Sequence, residues 1–389
     1  MKGHGPETDG LSPRIAGVTT FLRLPHMTQY DGVDVVIVGL PFDTGLAVRS
    51  GARFGPRAVR EASLTLHPAY NPVQRVSVFD RLSVIDAGDA RLVAGFTDRS
   101  LVAMQTALAQ VHDAGAVPLG IGGDHTVTLA ELRAAAARYG PLALLHFGAH
   151  TDCLDESGGE RQIHSTVIRR AAEEGVIDAS RSALFGMRGG LDLPDEYEQA
   201  RALGFTVVPW DDLAQLGTGA VAAAVDEIGS GKAFVTVDVD FFDPGFAPAV
   251  STPEVGGPTS AQALALIRGC RGLDLAGADV VEVVPELDSS HLTGTVAATV
   301  VVAEGETLAV LADTVRDLTN GALGGRPGMP FVRYRGRETA KFVMMEGGAF
   351  TIRIDSIGWS VLGRLDPATG VLSGEIGGLD RSMEGHFRG

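Results

Sequence analysis

Histidines and aspartates cluster at the ends of apolar segments, in a pattern that suits the binding of divalent metal ions. Asp238 and Asp240 lie two residues apart at the end of a β-branched run, Ala233–Asp238. Burying two carboxylates there is costly unless cations neutralise them. A solvated aspartate pair at a strand-to-loop junction is the simpler interpretation of this segment alone, so the other segments decide between the two.

Further candidate ligands follow two other predicted strands. His125 follows Val117–Ile121, while His150 and Asp152 follow Leu142–Phe147. In parallel sheets, ligands bind beyond the carboxyl ends of the strands, so these side chains and the aspartate pair can converge on one site. Imidazole and carboxylate ligands without thiolate pairs suit Mn²⁺, with Zn²⁺, Ni²⁺ and Fe²⁺ as poorer matches. Two such ions would lower the pKa of a shared water and supply hydroxide near neutral pH.

The elements that must position these residues alternate between short apolar strands and Ala-rich helices from about residue 33 to residue 320. Continuous apolar strands predict a mostly parallel sheet that is covered on both faces, in a three-layer α/β/α architecture. The predicted strands are Val35–Leu40, Val84–Asp86, Val117–Ile121, Leu142–Phe147, Ala183–Met187, Thr206–Pro209, Ala233–Asp238 and Ala278–Val283. The predicted helices include Ser100–Ala114, Thr128–Tyr139, Ser165–Glu174, Val221–Ile228, Ser260–Arg271 and a closing helix from about Thr295 to Leu318.

The composition changes after residue 320. Residues 321–330 are rich in Gly and Pro, as in a linker. We therefore predict an N-terminal extension (1–32), a catalytic α/β domain (33–320), this linker and a small antiparallel β appendage (331–389). A lid, an oligomer contact and a structural cap are equally open roles for the appendage. Its predicted strands are Phe331–Tyr334, Lys341–Met345, Phe350–Ile354, Trp359–Leu365 and Val371–Ile376.

Charge and composition limit the partners and the compartment. A net charge of −16 argues against non-specific binding to nucleic acid, and it suits cationic substrates or metal ions. No apolar run approaches the roughly 18 residues of a membrane helix, and the N-terminus shows no apolar signal region. Two cysteines, Cys153 and Cys270, imply no disulfide framework. We predict a cytoplasmic protein in which Cys153 is a packing residue, with a role at the metal site as the alternative.

Several segments together resemble the ureohydrolase family, which includes arginase, agmatinase and related guanidino-acid hydrolases. They are Gly122-Gly-Asp-His125, His146-Phe-Gly-Ala-His150-Thr-Asp152, Thr236-Val-Asp238-Val-Asp240-Phe-Phe-Asp243-Pro and Thr252-Pro-Glu-Val-Gly-Gly257. The early segments Gly39-Leu-Pro-Phe-Asp43 and Gly51-Ala-Arg-Phe-Gly-Pro-Arg57 look like those of agmatinase-type members. The similarity covers roughly residues 33–318. It implies an arginase-like fold, cleavage of a guanidino compound to an amine and urea, manganese as cofactor, and a homotrimer or homohexamer.

The resemblance also implies roles for single residues. His125, Asp152 and Asp238 would bind one manganese ion, and His150, Asp238 and Asp240 the other. Glu282 matches the carboxylate that pairs with the substrate guanidinium, and His164 matches the histidine that carries protons to the leaving amine. The predicted catalytic residues are thus His164, Glu282 and Asp152, and the predicted substrate contacts are Glu282, His164 and Asp155. Asp243 is predicted to order its own loop.

One position departs from the family pattern. The family motif has an aspartate that bridges both metals where this chain has Gly148, which offers no ligand. Either the site binds metals more weakly, with Asp155, Cys153 or water in the gap, or it binds one metal, or hydrolysis is lost. Ser165, after His164, also differs from the glycine that agmatinase-like members usually carry there.

Three hypotheses for the function follow. The leading one is a metal-dependent amidinohydrolase acting through metal-bound hydroxide on agmatine or a related guanidino-alkyl compound. Agmatinase-like loops, and the absence of a signature for α-amino-acid recognition, favour such a substrate over arginine. The second is a catalytically impaired homologue with a binding or assembly role, and the third is altered chemistry on a guanidino intermediate. Metal content and urea release distinguish the three.

Overall fold

The computed structural model of the protein describes two parts of the chain separately. It describes residues 3–6, 16–45, 48–67, 70–72, 74–229 and 231–324, then strands between residues 330 and 388, with side chains up to residue 309. The chain divides into two compact units, Met1–Ala309 and Val310–Gly389. Residues 1, 2 and 7–15 of the predicted extension, 325–329 of the predicted linker, and the strand-end residues Met345 and Val371 lie outside the described residues. The predicted domain boundaries stay predictions.

An eight-stranded sheet forms the centre of the first unit, and its strands pair in parallel throughout. The strands are β1 (Val35–Gly39), β2 (Val84–Asp89), β3 (Val117–Ile121), β4 (Ala143–Phe147), β5 (Ala183–Phe185), β6 (Thr206–Val208), β7 (Lys232–Asp238) and β8 (Asp274–Val281). Their order across the sheet is β2-β1-β3-β8-β7-β4-β5-β6. Each strand predicted for this unit is present, and the parallel pairing confirms the predicted α/β class.

Helices connect these strands. They are α1 (Gly55–Ser63), α2 (Thr97–Asp113), α3 (Val127–Tyr139), α4 (Val167–Glu173), α5 (Glu196–Ala202), α6 (Trp210–Leu216), α7 (Thr218–Ile228), α8 (Ser260–Ile267) and α9 (Leu292–Gly324). Local sequence explains several of their starts. Pro56 lies in the first turn of α1, where a missing N–H costs nothing. Thr259 and Gln262 form a reciprocal capping box at the start of α8.

Both faces of the sheet are covered. Every residue of β1 and of β4 is buried, and side chains alternate between the two faces of a strand, so each face packs against other elements. Val36 of β1 and Leu144 of β4 share one hydrophobic cluster with Leu101 of α2 and Leu132 of α3. The predicted three-layer architecture is confirmed.

The strand order explains how distant segments of the chain form one site. Strands β3, β8, β7 and β4 are neighbours in the middle of the sheet. His125 follows β3, Glu282 follows β8, Asp238 ends β7 and His150 follows β4. Because the strands are parallel, these residues meet at a single edge.

The second unit contains a six-stranded antiparallel sheet, which confirms the predicted C-terminal β structure. Its strands are β9 (Pro330–Tyr334), β10 (Glu338–Met344), β11 (Ala349–Ile354), β12 (Trp359–Leu365), β13 (Leu372–Gly377) and β14 (Gly385–Arg388). They pair in the order β14-β13-β12-β11-β10-β9. Strand β14 was not predicted. Among the described residues of the whole chain, no helix combines the length and the apolar character needed to cross a membrane.

Three of the buried carboxyl groups of the first unit lie close enough together for their charges to interact. Glu131 of α3, Asp279 of β8 and Glu304 of α9 are at most 2% exposed. Asp279 accepts a hydrogen bond of 2.6 Å from the hydroxyl of Thr128. No described residue donates a hydrogen bond to the carboxyl oxygens of Glu131 or Glu304, and a protonated Glu131 can itself donate to Asp279. Burial, followed by the charge of Asp279, raises the pKa of Glu131 and of Glu304 well above the usual value.

We expect Glu131→Gln to weaken the dependence of the free energy of unfolding on pH. A raised pKa in the folded state means that unfolding releases a proton above the ordinary carboxyl pKa. Stability is therefore highest below that ordinary pKa and falls as the pH rises toward the folded value. The amide keeps the shape of the side chain and does not titrate, so the variant should lose a slope of up to about 1.4 kcal/mol per pH unit. Urea unfolding between about pH 5 and pH 9 measures this slope.

Glu198→Gln is the matched control, because the Glu198 side chain is 71% exposed. Its unfolding free energy should follow that of the unmodified protein across the pH range. An unchanged slope in Glu131→Gln would mean that Glu131 is ionised in the folded protein.

Candidate metal centre and active site

The five predicted metal ligands converge at the carboxyl ends of β3, β4 and β7. His125 Nδ1 lies 2.8 Å from Asp152 Oδ2 and 3.5 Å from Asp238 Oδ2. His150 Nδ1 lies 2.7 Å from Asp240 Oδ2. The backbone N–H of Asp240 donates to Asp238 Oδ1 at 2.8 Å, which joins the two histidine–aspartate groups.

Neighbouring groups orient the His125 ring. Its Nε2 contacts the hydroxyl of Thr236 at 2.9 Å, so Nδ1 is the nitrogen directed at the carboxylates. In the described part of the chain Nδ1 has no partner with hydrogen-bond geometry, in spite of its close approach to Asp152. Buried polar atoms are normally satisfied. A cation between Nδ1 and the carboxylates would satisfy both sides, and this donor set fits a divalent metal ion.

Buried negative charge dominates the electrostatics of the site. Burial and the neighbouring charge of Asp240 raise the pKa of Asp238 well above the usual value. Burial and the charge of Asp124 raise the pKa of Glu282 to about 8. Burial disfavours the charged form of His125, but the carboxylates of Asp152, Asp279 and Glu282 together outweigh it and raise the His125 pKa to about 9. These shifts all express a shortage of positive charge. Four site carboxyl groups are no more than 6% exposed: Asp152, Asp238, Asp240 and Glu282.

Two site residues have a left-handed backbone. The φ angle is 50° at Asp152 and 69° at Glu282, which is unfavourable for residues with a Cβ atom. Hydrogen bonds hold both in place: the Asp152 carbonyl accepts from the N–H of Ile168 at 3.0 Å, and the Glu282 N–H donates to the Gly123 carbonyl at 2.8 Å. Strain of this kind concentrates at functional sites.

A cavity of about 420 Å³ opens onto predicted metal ligands, and this volume is typical of a small-molecule site. His150, Asp152 and His164 line it. Burial lowers the pKa of His164, so its neutral form is favoured. Its Nε2 is without a hydrogen-bond partner within the described residues. Other lining residues include Val48, Leu154, Leu191, Asp192, Glu196, Tyr197 and Glu254.

Glu282 lies next to His164 but deeper in the protein. The Oε1 of Glu282 is 4.0 Å from His164 Nδ1, and it accepts a hydrogen bond of 2.8 Å from the backbone N–H of His125. Its Oε2 accepts from the hydroxyl of Ser251 at 3.1 Å. His164 and Ser251 are among the residues that line the cavity, whereas Glu282 is not among the described lining residues. The Glu282 carboxylate therefore lies directly behind that part of the wall.

The structure does not bring Asp155 or Cys153 to Gly148, the position at which the family resemblance implies a missing ligand. The Asp155 side chain is 54% exposed and forms ion pairs with Arg161 at 2.9 Å and Arg170 at 2.8 Å. Cys153 belongs to the hydrophobic cluster, and burial raises the pKa of its thiol well above the usual value. Packing is thus the interpretation of Cys153 that the structure supports.

Asp243 ties two loops together, in agreement with its predicted role. Its Oδ1 accepts from the N–H of Gly245 at 2.8 Å, and its Oδ2 accepts from Gly256 at 2.8 Å and Gly257 at 3.2 Å. The turn held in this way carries Glu254, whose Oε1 lies 3.7 Å from His150 Nε2. No role was predicted for Glu254, although it belongs to the Thr-Pro-Glu segment that marked the turn.

His146 is a site residue to which the sequence analysis gave no role. Its buried ring packs edge-on against that of His125, with 5.1 Å between centroids, and its Nε2 lies 3.9 Å from Asp152 Oδ2. Burial lowers its pKa to about 4. The sequence did contain a signal for this residue. Side chains alternate along a strand, so those of residues 146 and 148 lie on the same face.

Comparison with known proteins identifies the family. The model of the arginase family matches residues 33–304, which end before the second unit. Guanidinopropionase from Pseudomonas aeruginosa is 43% identical over 304 residues, which cover 78% of this chain and 94% of that protein. Mitochondrial agmatinase from Gallus gallus is 39% identical over 281 residues, or 72% of this chain and 82% of that protein. The structure of proclavaminate amidino hydrolase from Streptomyces clavuligerus matches with a TM-score of 0.74 and 37% identity, covering 77% of this chain and 100% of that one.

Both kinds of match cover well over half of the chain, and they include the segments that carry the site. Members of the arginase family are binuclear metal enzymes, typically with Mn²⁺. The histidines and carboxylates at the carboxyl edge of the sheet fit such a centre, apart from the position occupied by Gly148. This chain belongs to the arginase family and is a ureohydrolase.

Proposed function

We propose that the chain is a metal-dependent amidinohydrolase that splits agmatine, or a close guanidino-alkyl analogue, into an amine and urea. The convergence of two histidines and three buried aspartates beside a cavity is the observation that carries this proposal. Divalent ions bound there would polarise water, so that hydroxide forms near neutral pH. The names of the guanidinopropionase and agmatinase relatives support a guanidino substrate. Manganese, a homo-oligomeric assembly and a cytoplasmic location are part of the same proposal.

Residues of the chain itself would hold the substrate and move the protons. A guanidinium placed against His164 would lie close to Glu282, whose carboxylate can balance its charge and bind it through paired hydrogen bonds. Contacts with Ser251 and with the backbone of His125 fix the orientation of that carboxylate. His164, whose neutral form is favoured, would accept a proton from the attacking water and pass it to the leaving amine nitrogen.

The charges around the cavity support a substrate with an amine, rather than a carboxylate, at its far end. Asp192, Glu196 and Glu254 line the cavity, beside the apolar side chains that can pack against a methylene chain. Arg188 is the one Lys or Arg among the described lining residues, and its guanidinium donates to several main-chain carbonyls. It is therefore committed to the fold and poorly placed to bind a substrate carboxylate.

A guanidino acid is the second candidate substrate. The relative that is 43% identical is named guanidinopropionase, which favours a carboxylate-bearing compound. The two candidates differ in the sign of the charge at the far end of the substrate, so matched compounds can separate them.

After reconstitution with Mn²⁺ we expect roughly one or two ions per chain and urea release from a guanidino substrate. Asp238→Asn should lower the metal content and abolish urea release, because Asp238 lies between the two histidine–aspartate groups. Elemental analysis and a urea assay measure both quantities. Asp195→Asn, an exposed aspartate outside the cavity, is the control and should behave like the unmodified protein.

Metal content and urea release of the unmodified protein also decide between the three hypotheses for the function. Bound metal with no urea from agmatine, arginine or guanidino acids would favour altered chemistry. A protein that takes up no metal and releases no urea would contradict the proposal and favour a binding role.

We expect His164→Asn to lower kcat by about 10²–10⁴-fold, as for a lost general acid, with the metal content unchanged. Urea release under saturating substrate and elemental analysis give the two values. His291→Asn is the control, because His291 is exposed and has a left-handed backbone that asparagine tolerates. An unaltered kcat in His164→Asn would remove His164 from the proton transfer.

We expect agmatine to be hydrolysed with a kcat/KM at least about tenfold above that of 4-guanidinobutyrate, because the cavity wall is acidic. Asp192→Asn should reduce this ratio, and Asp195→Asn, in the same loop but not lining the cavity, should leave it unchanged. A ratio that favours 4-guanidinobutyrate would support the guanidino acid instead.

A further inference from the structure

We infer that His146 is a metal ligand in this chain, in the space that a side chain at residue 148 would otherwise occupy. The inference rests on the proposed function, since it adds a ligand to the same centre. It assigns the vacant ligand position to an imidazole, in place of a water molecule, Asp155 or Cys153.

A side chain at residue 148 and the ring of His146 would occupy the same volume. A Cβ atom built on Gly148 would overlap Nε2 of the His146 ring and lie 3.0 Å from its Cε1. The two residues are two apart at the end of β4, so their side chains point to the same face. An aspartate at 148 would therefore exclude the ring from its present position. Glycine removes a carboxylate from the site and in the same step admits an imidazole.

The His146 ring has no other task in the described part of the structure. It is fully buried, and neither of its nitrogens has a hydrogen-bond partner among the described residues. Burying a polar group without a partner is costly, so a partner for at least one nitrogen is expected. A metal ion could be that partner, because His125 and Asp152 beside the ring could bind the same ion.

The distances suit one ion between three ligands. Single ligand atoms of His125, His146 and Asp152 lie within 4.8 Å of one another. Metal bonds to nitrogen and oxygen are about 2.0–2.2 Å long, so small side-chain shifts bring three such atoms onto one ion. Within the described residues, this is the one group of three or more histidine, cysteine or acidic side chains with this spacing.

Another histidine shows that burial alone does not make a ligand. His112 of α2 is 1% exposed, and both of its ring nitrogens also lack hydrogen-bond partners within the described residues. It packs edge-on against Tyr139, with 5.6 Å between ring centroids, and belongs to no such group. What sets His146 apart is the presence of His125 and Asp152 beside its ring.

The test is metal binding by the full chain, measured without turnover. Calorimetric titration with Mn²⁺ gives stoichiometry and affinity, and the visible absorption of bound Co²⁺ reports the ligand set. His146→Phe keeps a buried ring and removes both nitrogens. We expect it to lose one bound ion or to bind it about tenfold or more weakly, with a changed Co²⁺ spectrum. His112→Phe is the matched control and should bind both metals as the unmodified protein does.

A second variant tests the same ligand without altering His146. Gly148→Ala places a methyl group where the ring now lies and offers no ligand, so it should also weaken metal binding and change the Co²⁺ spectrum. Circular dichroism verifies that each variant is folded. Wild-type affinity and spectrum in both His146→Phe and Gly148→Ala would overturn the inference, as would an unmodified protein that binds no metal.

The outcomes also separate this inference from the proposed hydrolysis. Metal binding that depends on His146, without urea release from any guanidino substrate, would support the ligand and refute the hydrolysis. Urea release by a protein whose metal binding is independent of His146 would support the hydrolysis and refute the role of His146 as a ligand.

Discussion

Burial of negative charge at the carboxyl edge of the central sheet is the constraint on which the site depends. Asp152, Asp238, Asp240 and Glu282 are all buried there. The imidazoles of His125 and His150 and the guanidinium of Arg188 are neighbouring groups that partly offset their charge. The effective penalty for burying an ion is several kcal/mol even in a relaxed protein. Divalent cations would offset much of that penalty, and this is the physical reason why the proposed metal binding suits the arrangement. The backbone is strained at two of these four residues, Asp152 and Glu282, and the turn tied by Asp243 places Glu254 beside His150.

Much of this site could be predicted from the sequence because polar residues follow directly after apolar runs. A run such as Ala233–Asp238 predicts a strand, and a carboxylate at its end predicts a residue at the sheet edge. The order of the strands could not be predicted in this way. The pairing of β3 with β8 joins Leu119 to Ala278, and no local pattern encodes a contact over that separation in sequence.

The direction of individual side chains was the second property that could not be predicted from the sequence. Asp155 lies close in sequence to the predicted ligand Asp152, yet its carboxylate points to the surface and pairs with arginines of the following segments. His146 shows the converse, because a glycine two residues away changes the space that its ring can fill. A pattern of residue types records which ligand is missing, but the volume left behind is visible only in three dimensions. On the inference drawn from His146, the departure at Gly148 is an exchange of ligands and not the loss of one.

Crystals of the Mn²⁺-loaded protein, with anomalous diffraction measured at the manganese absorption edge, would test this account most directly. We expect an anomalous peak between His125, His146 and Asp152, with the His146 ring directed at it, and further peak density near His150 and Asp240. Loaded crystals with no anomalous peak at this edge of the sheet would contradict the metal centre. A peak from which the His146 ring points away would contradict the exchange of ligands.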